Sequence, residues 1–151
     1  MMENYKPNEV IVTETGEGNF IQSIEVGEHT FLADEPKEVG GNNKGPGPYD
    51  LLLSALGACT SMTLRMYAVR KNIPLKGIRV ILNHEKIYNE DRSNSVNKNA
   101  RLDLIHRIIY LEGDLNPDQE KDLLRIADKC PVHKTLTQAS IIKTTLGTEN
   151  S

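Results

Sequence analysis

The sequence predicts an α+β fold in which antiparallel sheets pack around a long central buried helix, and three observations carry that prediction. Strand-like and helix-like segments follow in runs, βββ–α–ββ–α–α–β, rather than in strict alternation. The first helical segment is apolar almost all round over its N-terminal half, so it needs cover on most sides. The two cysteines fall at pointed places: Cys59 lies inside that helix, and Cys130 stands directly before a proline at the start of a short helix.

Length and composition set the frame. A chain of 151 residues is read as one domain, 1–151, and can bury roughly 70% of its unfolded surface without covalent staples. Apolar residues make up 38% and charged residues 26%, as in ordinary water-soluble domains. Eighteen basic against 21 acidic residues leave a net charge of −3, with no clustered Lys and Arg. That pattern speaks against a nucleic-acid partner. The opening "MMENYKPNEV" lacks the apolar run of a signal peptide, and no stretch reaches ~18 continuous apolar residues. The expectation is a cytoplasmic protein with no membrane partner, where two cysteines point to catalysis, redox sensing or metal binding rather than to a permanent disulfide.

The elements follow in order. "EVIVTE" and "NFIQSIEV" alternate in part, with the hairpin signal "TGEGN" between them, and "HTFLADE" follows the break at Gly27–Glu28, so a three-stranded antiparallel meander is expected. "PKEVGGNNKGPGP" is too rich in Gly, Asn and Pro to hold a regular element. "YDLLLSALGACTSMTLRMYAVRKN" then supplies the long helix, with Pro48 and Asp50 suited to its start. Gly57 in its interior costs ~1 kcal/mol against alanine, which implies a very close neighbour. Two long strands follow. "LKGIRVILNHEKIY" places Ile78, Val80 and Leu82 on one face, and Ile87, shifted by one, suggests a bulge. "RLDLIHRIIYLEG" aligns Leu102, Leu104, His106, Ile108 and Tyr110. The polar "NEDRSNSVNKNA" between them reads as a hairpin tip. "NPDQEKDLLRIADK" is a helix capped by Asn116 with Pro117 first and acidic residues in its first turn; Leu123, Leu124, Ile126 and Ala127 form its stripe. "PVHKTLTQ" is a short helix and "SIIKTTLG" a closing strand.

The cysteines differ in surroundings. Pro131 at the first helical position makes Cys130 the cap, facing unpaired backbone N–H groups at the positive helix end. With Lys129, His133 and Lys134 nearby, such a place lowers a thiol's pKa, although a small buried hydrophobe fits the same spot. Cys59 lies among apolar neighbours that disfavour a thiolate, and reads as a core residue by itself. Cys130 and His133 form a C-x-x-H pair, but a closed zinc site needs four ligands and His29, His84 and His106 show no paired spacing, so no metal is expected. No G-x-S-x-G elbow supports a serine hydrolase.

"GPGPYDLLLSALGACTSMTLRMYA", followed some seventy residues later by "CPVHKTL", resembles the OsmC/Ohr family, in particular its OsmC-like branch with a Gly-Pro-x-Pro-Tyr helix start and a Cys-Pro-Val-His motif. The resemblance runs from about Gly45 to the end of the chain. It implies an intertwined homodimer with active sites at the subunit interface, and this agrees with the second cover that the apolar helix needs. It also implies thiol-dependent reduction of organic or hydrogen peroxides without a cofactor: Cys59 as the attacking thiol, Cys130 as the resolving one, and an external dithiol as reductant. Peroxidase members activate the attacking thiol with an N-terminal arginine held by a glutamate at the helix start. No arginine precedes Arg65 here. The helix-start carboxylate is Asp50, nine residues before Cys59 and ~180° around the helix, and Tyr49 stands where the glutamate would be. Asp50, Tyr49 and His133 are the candidate supporting residues, Asp50 being equally readable as a simple helix-start carboxylate and His133 as a substitute activator beside a lysine or arginine of the partner. The alternative function is a non-catalytic small-ligand-binding protein on the same fold.

Overall fold

The structure, a computed structural model, describes residues 8–88 and 101–148. The segment expected as a polar hairpin tip, 89–100, lies outside the described residues. The chain divides into two compact units, one up to Ser54 and one from Ala55 onward.

The first unit holds the expected meander. Strands β1 (Ile11–Glu14), β2 (Gln22–Val26) and β3 (His29–Ala33) pair antiparallel in the order β1-β2-β3, with Val12 opposite Ile24 and Ile24 opposite Phe31. Gly27, at φ 58°, makes the tight β2–β3 turn that a side chain would strain. The loop after β3 is organised by Asp34, which is buried. Its carboxylate accepts the N–H groups of Glu35 at 2.8 Å, Asn42 at 3.0 Å and Lys44 at 3.1 Å. Burial pushes this carboxyl up, and those backbone bonds outweigh it, so its pKa lies below the usual value. Contrary to the expectation of no regular element there, Lys37–Val39 forms a single 3-10 turn. Helix α1 (Pro48–Arg70) starts with a reciprocal cap: Asp50 Oδ2 accepts the Gly47 N–H at 2.9 Å, and Leu51 N–H donates to the Gly47 carbonyl at 3.1 Å.

The second unit is built around the rest of α1. Strands β4 (Leu75–Tyr88) and β5 (Arg101–Gly113) form a two-stranded antiparallel sheet. Ile78 faces Leu111, Val80 faces Ile109, Leu82 faces Arg107 and His84 faces Ile105 across it. These eight residues form the half-buried face, while Arg79, Ile81, His106, Ile108 and Tyr110 on the other face are exposed. The bulge falls between Leu75 and Gly77, not near Ile87, and the register runs unbroken from Gly77 to Tyr88. Helix α2 (Pro117–Ala127) is capped by Asn116 as expected, and Gln119 completes a capping box that the sequence reading did not name: Gln119 N–H donates to Asn116 Oδ1 at 2.8 Å, and Asn116 N–H donates to Gln119 Oε1 at 3.0 Å. Leu123, Ile126 and Ala127 enter the core, but Leu124, expected in the stripe, is 60% exposed. The core joins Leu64 and Ala68 of α1, Leu75 of β4 and those three α2 residues. Tyr67 on α1 donates to Asp122 on α2.

Helix α1 departs from expectation in two ways. Only Leu56, Gly57, Thr60, Leu64 and Ala68 are buried, and Leu52, Met62, Met66 and Val69 are exposed, so a single chain covers one face of the helix rather than most sides. By length and composition it also passes as long and apolar enough to cross a bilayer, despite lacking a continuous apolar run, because its Gly, Ser and Thr residues cost little hydropathy. One such helix is weak evidence, since the core helix of a water-soluble domain passes the same test. The closing strand is absent: residues 140–148 carry no regular structure, and Ile141 and Ile142 are 88% and 87% exposed. Alternation alone does not make a strand; the ladder needs a neighbouring edge to accept its bonds.

The close neighbour that Gly57 implied is Leu82 on β4, whose Cδ1 would sit 2.8 Å from a Cβ placed there. In Gly57→Ala the helix gains ~1 kcal/mol in propensity, and Leu82 yields by a small rotation, so the urea midpoint stays close to the parent. Gly57→Leu overfills the contact and lowers stability by about 2 kcal/mol. A Gly57→Leu protein with the parent midpoint would show that helix and strand are not closely packed.

Candidate functional site

The short helix α3 (Pro131–Thr137) begins at Cys130, with Pro131 at its first position. The chain reaches it by a tight exit from α2, where Lys129 N–H donates to the Ile126 carbonyl at 2.9 Å. Cys130 is wholly buried, and its sulfur accepts the His133 N–H at 3.4 Å. This is the side-chain cap that its position before a proline predicts. Cys59, half-buried on α1, is its neighbour: both thiols are free, and each shifts the other's ionisation.

The environments split the pair. Burial raises the Cys59 thiol, its bond to Cys130 raises it further, and the Val132 N–H and Thr63 hydroxyl only partly offset this. Burial also opposes ionisation of Cys130, but the Cys59 S–H, the N–H groups of His133 and Val132 and the Thr60 hydroxyl outweigh it, so Cys130 lies below the usual thiol value. The proton is therefore held more firmly on Cys59 than on Cys130, and the first ionisation belongs to the pair rather than to either sulfur alone.

Arg107 on β5 borders the same place, and nothing in the sequence reading singled it out. Its side chain is only 13% exposed. One guanidinium nitrogen donates to Thr60 Oγ1 at 3.1 Å and the other to Asp128 Oδ1, at the end of α2, at 2.7 Å. Thr60 is fully buried and its hydroxyl also lies 2.7 Å from the Leu56 carbonyl. The His133 imidazole reaches toward Asp128, with Nδ1 at 3.8 Å from Oδ1. Arg107 and His133 line an open cleft of about 380 Å³ with Leu56, Ile105, Leu136 and Asp103. Among the described residues no group of three or more His, Cys, Asp or Glu is placed to hold a metal ion.

The sequence matches the family described as OsmC-like protein over residues 41–145. The chain belongs to the OsmC-like family. Solved structures agree on the fold. The OsmC-like protein of Mycoplasma pneumoniae superposes with a TM-score of 0.68 at 19% identity, covering 87% of this chain and 88% of that one. An organic hydroperoxide resistance protein OsmC from Legionella pneumophila gives 0.62 at 17% identity, with 87% and 91% covered. The organic hydroperoxide resistance protein OhrB of Bacillus subtilis gives 0.58 at 18% identity, with 84% and 87% covered. Among curated proteins none matches the sequence.

In this OsmC-like chain the remaining candidates are placed as follows. Asp50 bonds the helix start through Gly47, and Tyr49 is half exposed in the first turn of α1. His133 touches the cysteine pair through its backbone N–H, not its ring. Arg107 escaped notice because its partners lie 47 and 21 residues away; the one local signal is a charge on the same strand face as Ile105 and Ile109.

Ionisation of the pair is directly measurable. In the intact protein the ultraviolet thiolate absorbance first rises at a pH below the ordinary thiol midpoint of ~8.5. Cys130→Ser removes that step and leaves a later one from Cys59, whereas Cys59→Ser retains the earlier. An early step that survives Cys130→Ser and vanishes in Cys59→Ser would assign the resting charge to Cys59 instead.

Proposed function

We propose that this OsmC-like protein is a thiol-dependent peroxidase, reducing organic or hydrogen peroxides through the Cys59–Cys130 pair. The observation that carries the reading is the juxtaposition of two free thiols that shift each other's ionisation, one partly accessible and one sealed. The names of the Legionella and Bacillus relatives, organic hydroperoxide resistance proteins, favour the same chemistry.

The chemistry closes on the residues present. Cys59 passes its proton to Cys130 and, as thiolate, attacks the peroxide. The S–O bond forms as the O–O bond breaks, and Cys59 becomes a sulfenic acid, oxidised by two electrons. The departing alkoxide takes the proton from Cys130 and leaves as the alcohol. The restored Cys130 thiolate attacks the sulfenic sulfur, forming the disulfide and expelling hydroxide, which solvent protonates. An external dithiol then returns both sulfurs to thiols by exchange and becomes a disulfide itself. In this scheme Cys130 serves first as the base for Cys59 and then as the resolving nucleophile.

The active unit is proposed to be a homodimer in a cytoplasmic setting. Support for the assembly comes from the large exposed side chains of Met62, Met66 and Val69 on α1 and of Ile108 and Tyr110 on β5. Light scattering on the purified protein is expected to give twice the 16.9 kDa chain mass. A monomer at micromolar concentration would remove the assembly from the proposal.

Peroxide treatment of reduced protein lowers the mass by two hydrogens, and peptide mapping places the bridge at Cys59–Cys130. With reduced lipoamide as dithiol, peroxide is consumed repeatedly; Cys59→Ser falls to the uncatalysed background. Cys130→Ser, having lost both the base and the resolving thiol, reacts once, more slowly than the parent, and stops at a sulfenic acid that a cyclic diketone traps. Two free thiols after excess peroxide would end the peroxidase reading, and saturable binding without consumption would favour a ligand-binding protein.

A further inference from the structure

We infer that Arg107 is a positioning residue for the thiol pair, fixing the Thr60 hydroxyl against the Cys130 sulfur and fastening both to the end of α2 through Asp128. The inference rests on the thiol-redox reading of the pair.

Arg107 occupies a position where a charge is costly. On the covered face of the sheet it stands opposite Leu82 and in line with Ile105 and Ile109. Charged groups persist in such places when every donor has work to do. Here the planar guanidinium forks to two acceptors on different elements, Thr60 Oγ1 on α1 at 3.1 Å and Asp128 Oδ1 at the end of α2 at 2.7 Å.

The consequence lies in what Thr60 can do. A hydroxyl has one proton and two lone pairs. Arg107 engages a lone pair, which directs the proton away from the guanidinium; in this structure the hydroxyl donates to the Leu56 carbonyl at 2.7 Å, and the nearby Cys130 sulfur, whose ionisation Thr60 favours, is the alternative acceptor. When Cys130 carries charge, the proton swings to the sulfur, and the positive charge one atom behind strengthens that donor. Asp128 is 64% exposed and balances the guanidinium from the solvent side, leaving its buried side to act on Thr60. A lysine offers one point charge with no fixed fork, so it cannot hold both acceptors in this geometry.

Cys59 from α1 is the titratable group that acts on Cys130 directly, and the charged and titratable groups one contact further out are Arg107 from β5, bonded to Thr60, Asp128 from the end of α2, paired with Arg107, and the His133 ring from α3, near Asp128. The test therefore removes Cys59 and leaves Cys130 as the single thiol. In Cys59→Ser protein, thiolate absorbance is titrated with and without Arg107→Met, Arg107→Lys and Thr60→Val. Arg107→Met raises the Cys130 midpoint by about one pH unit, within the range expected when a neighbouring opposite charge is lost. Arg107→Lys recovers part of that rise. Thr60→Val gives a rise of similar size while retaining the Arg107–Asp128 pair, which keeps the test open should Arg107→Met fold poorly.

Midpoints unmoved in Arg107→Met and Thr60→Val would reduce Arg107 to a tie between sheet and helix and overturn the inference. The titration needs no turnover, so the two readings separate. A moved midpoint in a protein that forms no disulfide sustains Arg107 and ends the peroxidase reading. Disulfide formation with an unmoved midpoint does the reverse.

Discussion

The second unit is organised around one demand: a sulfur sealed from solvent at the start of α3 must find donors inside the protein. Cys130 has no access to water, so whatever charge it carries is satisfied by the N–H groups at the head of α3, by Thr60 and by Cys59. Each donor depends on a different element. Pro131 starts α3 and thereby aims the His133 N–H at the sulfur. The capping box of α2 fixes where that helix begins, and its length fixes where Asp128 ends it. Gly57 lets α1 approach β4 closely one turn before Thr60 and Cys59. The same close packing lets Thr60 on α1 accept from Arg107 on the paired strand.

Two cysteines of identical chemistry thus acquire different properties from geometry alone. Cys59 points from the middle of a helix, where backbone N–H groups are already used, so burial dominates and its proton is held. Cys130 occupies a cap, where N–H groups are free, and these stabilise the negative form despite complete burial. The more accessible sulfur is therefore the one whose ionisation is disfavoured, and the sealed sulfur is the one whose ionisation is favoured.

Local signals were legible and distant ones were not. Asn116 and Pro117 state the α2 cap in two residues, and the structure adds Gln119 as the reciprocal partner. Cys130–Pro131 states the α3 cap in two, and Gly57 announces a close neighbour, although only the structure identifies it as Leu82. The strand order β1-β2-β3 likewise follows from turn glycines and alternation. Leu124 misled because hydropathy counts a leucine as buried wherever it falls, whereas α2 covers the core with a narrow stripe. The tail at 140–148 misled for a related reason: alternation describes which face a strand would present, and a strand also needs an edge to bond.

Arg107 marks the boundary of what a linear reading can reach. Along β5 it looks like one more polar residue in an alternating strand, and the face first drawn through Leu102, Leu104, His106, Ile108 and Tyr110 leaves it on the opposite side. That opposite side is the covered one, because α1 and α2 pack where Ile105, Ile109 and Leu111 point. Both faces of the strand are apolar enough to be chosen, so periodicity sets the period without setting the phase. The phase is decided by which face meets Thr60 and Asp128, residues that only the folded chain brings within reach. A charged residue that survives on the covered face of such a strand is therefore a stronger functional signal than any motif around it, since burial removes the bland explanation that solvent provides for the others.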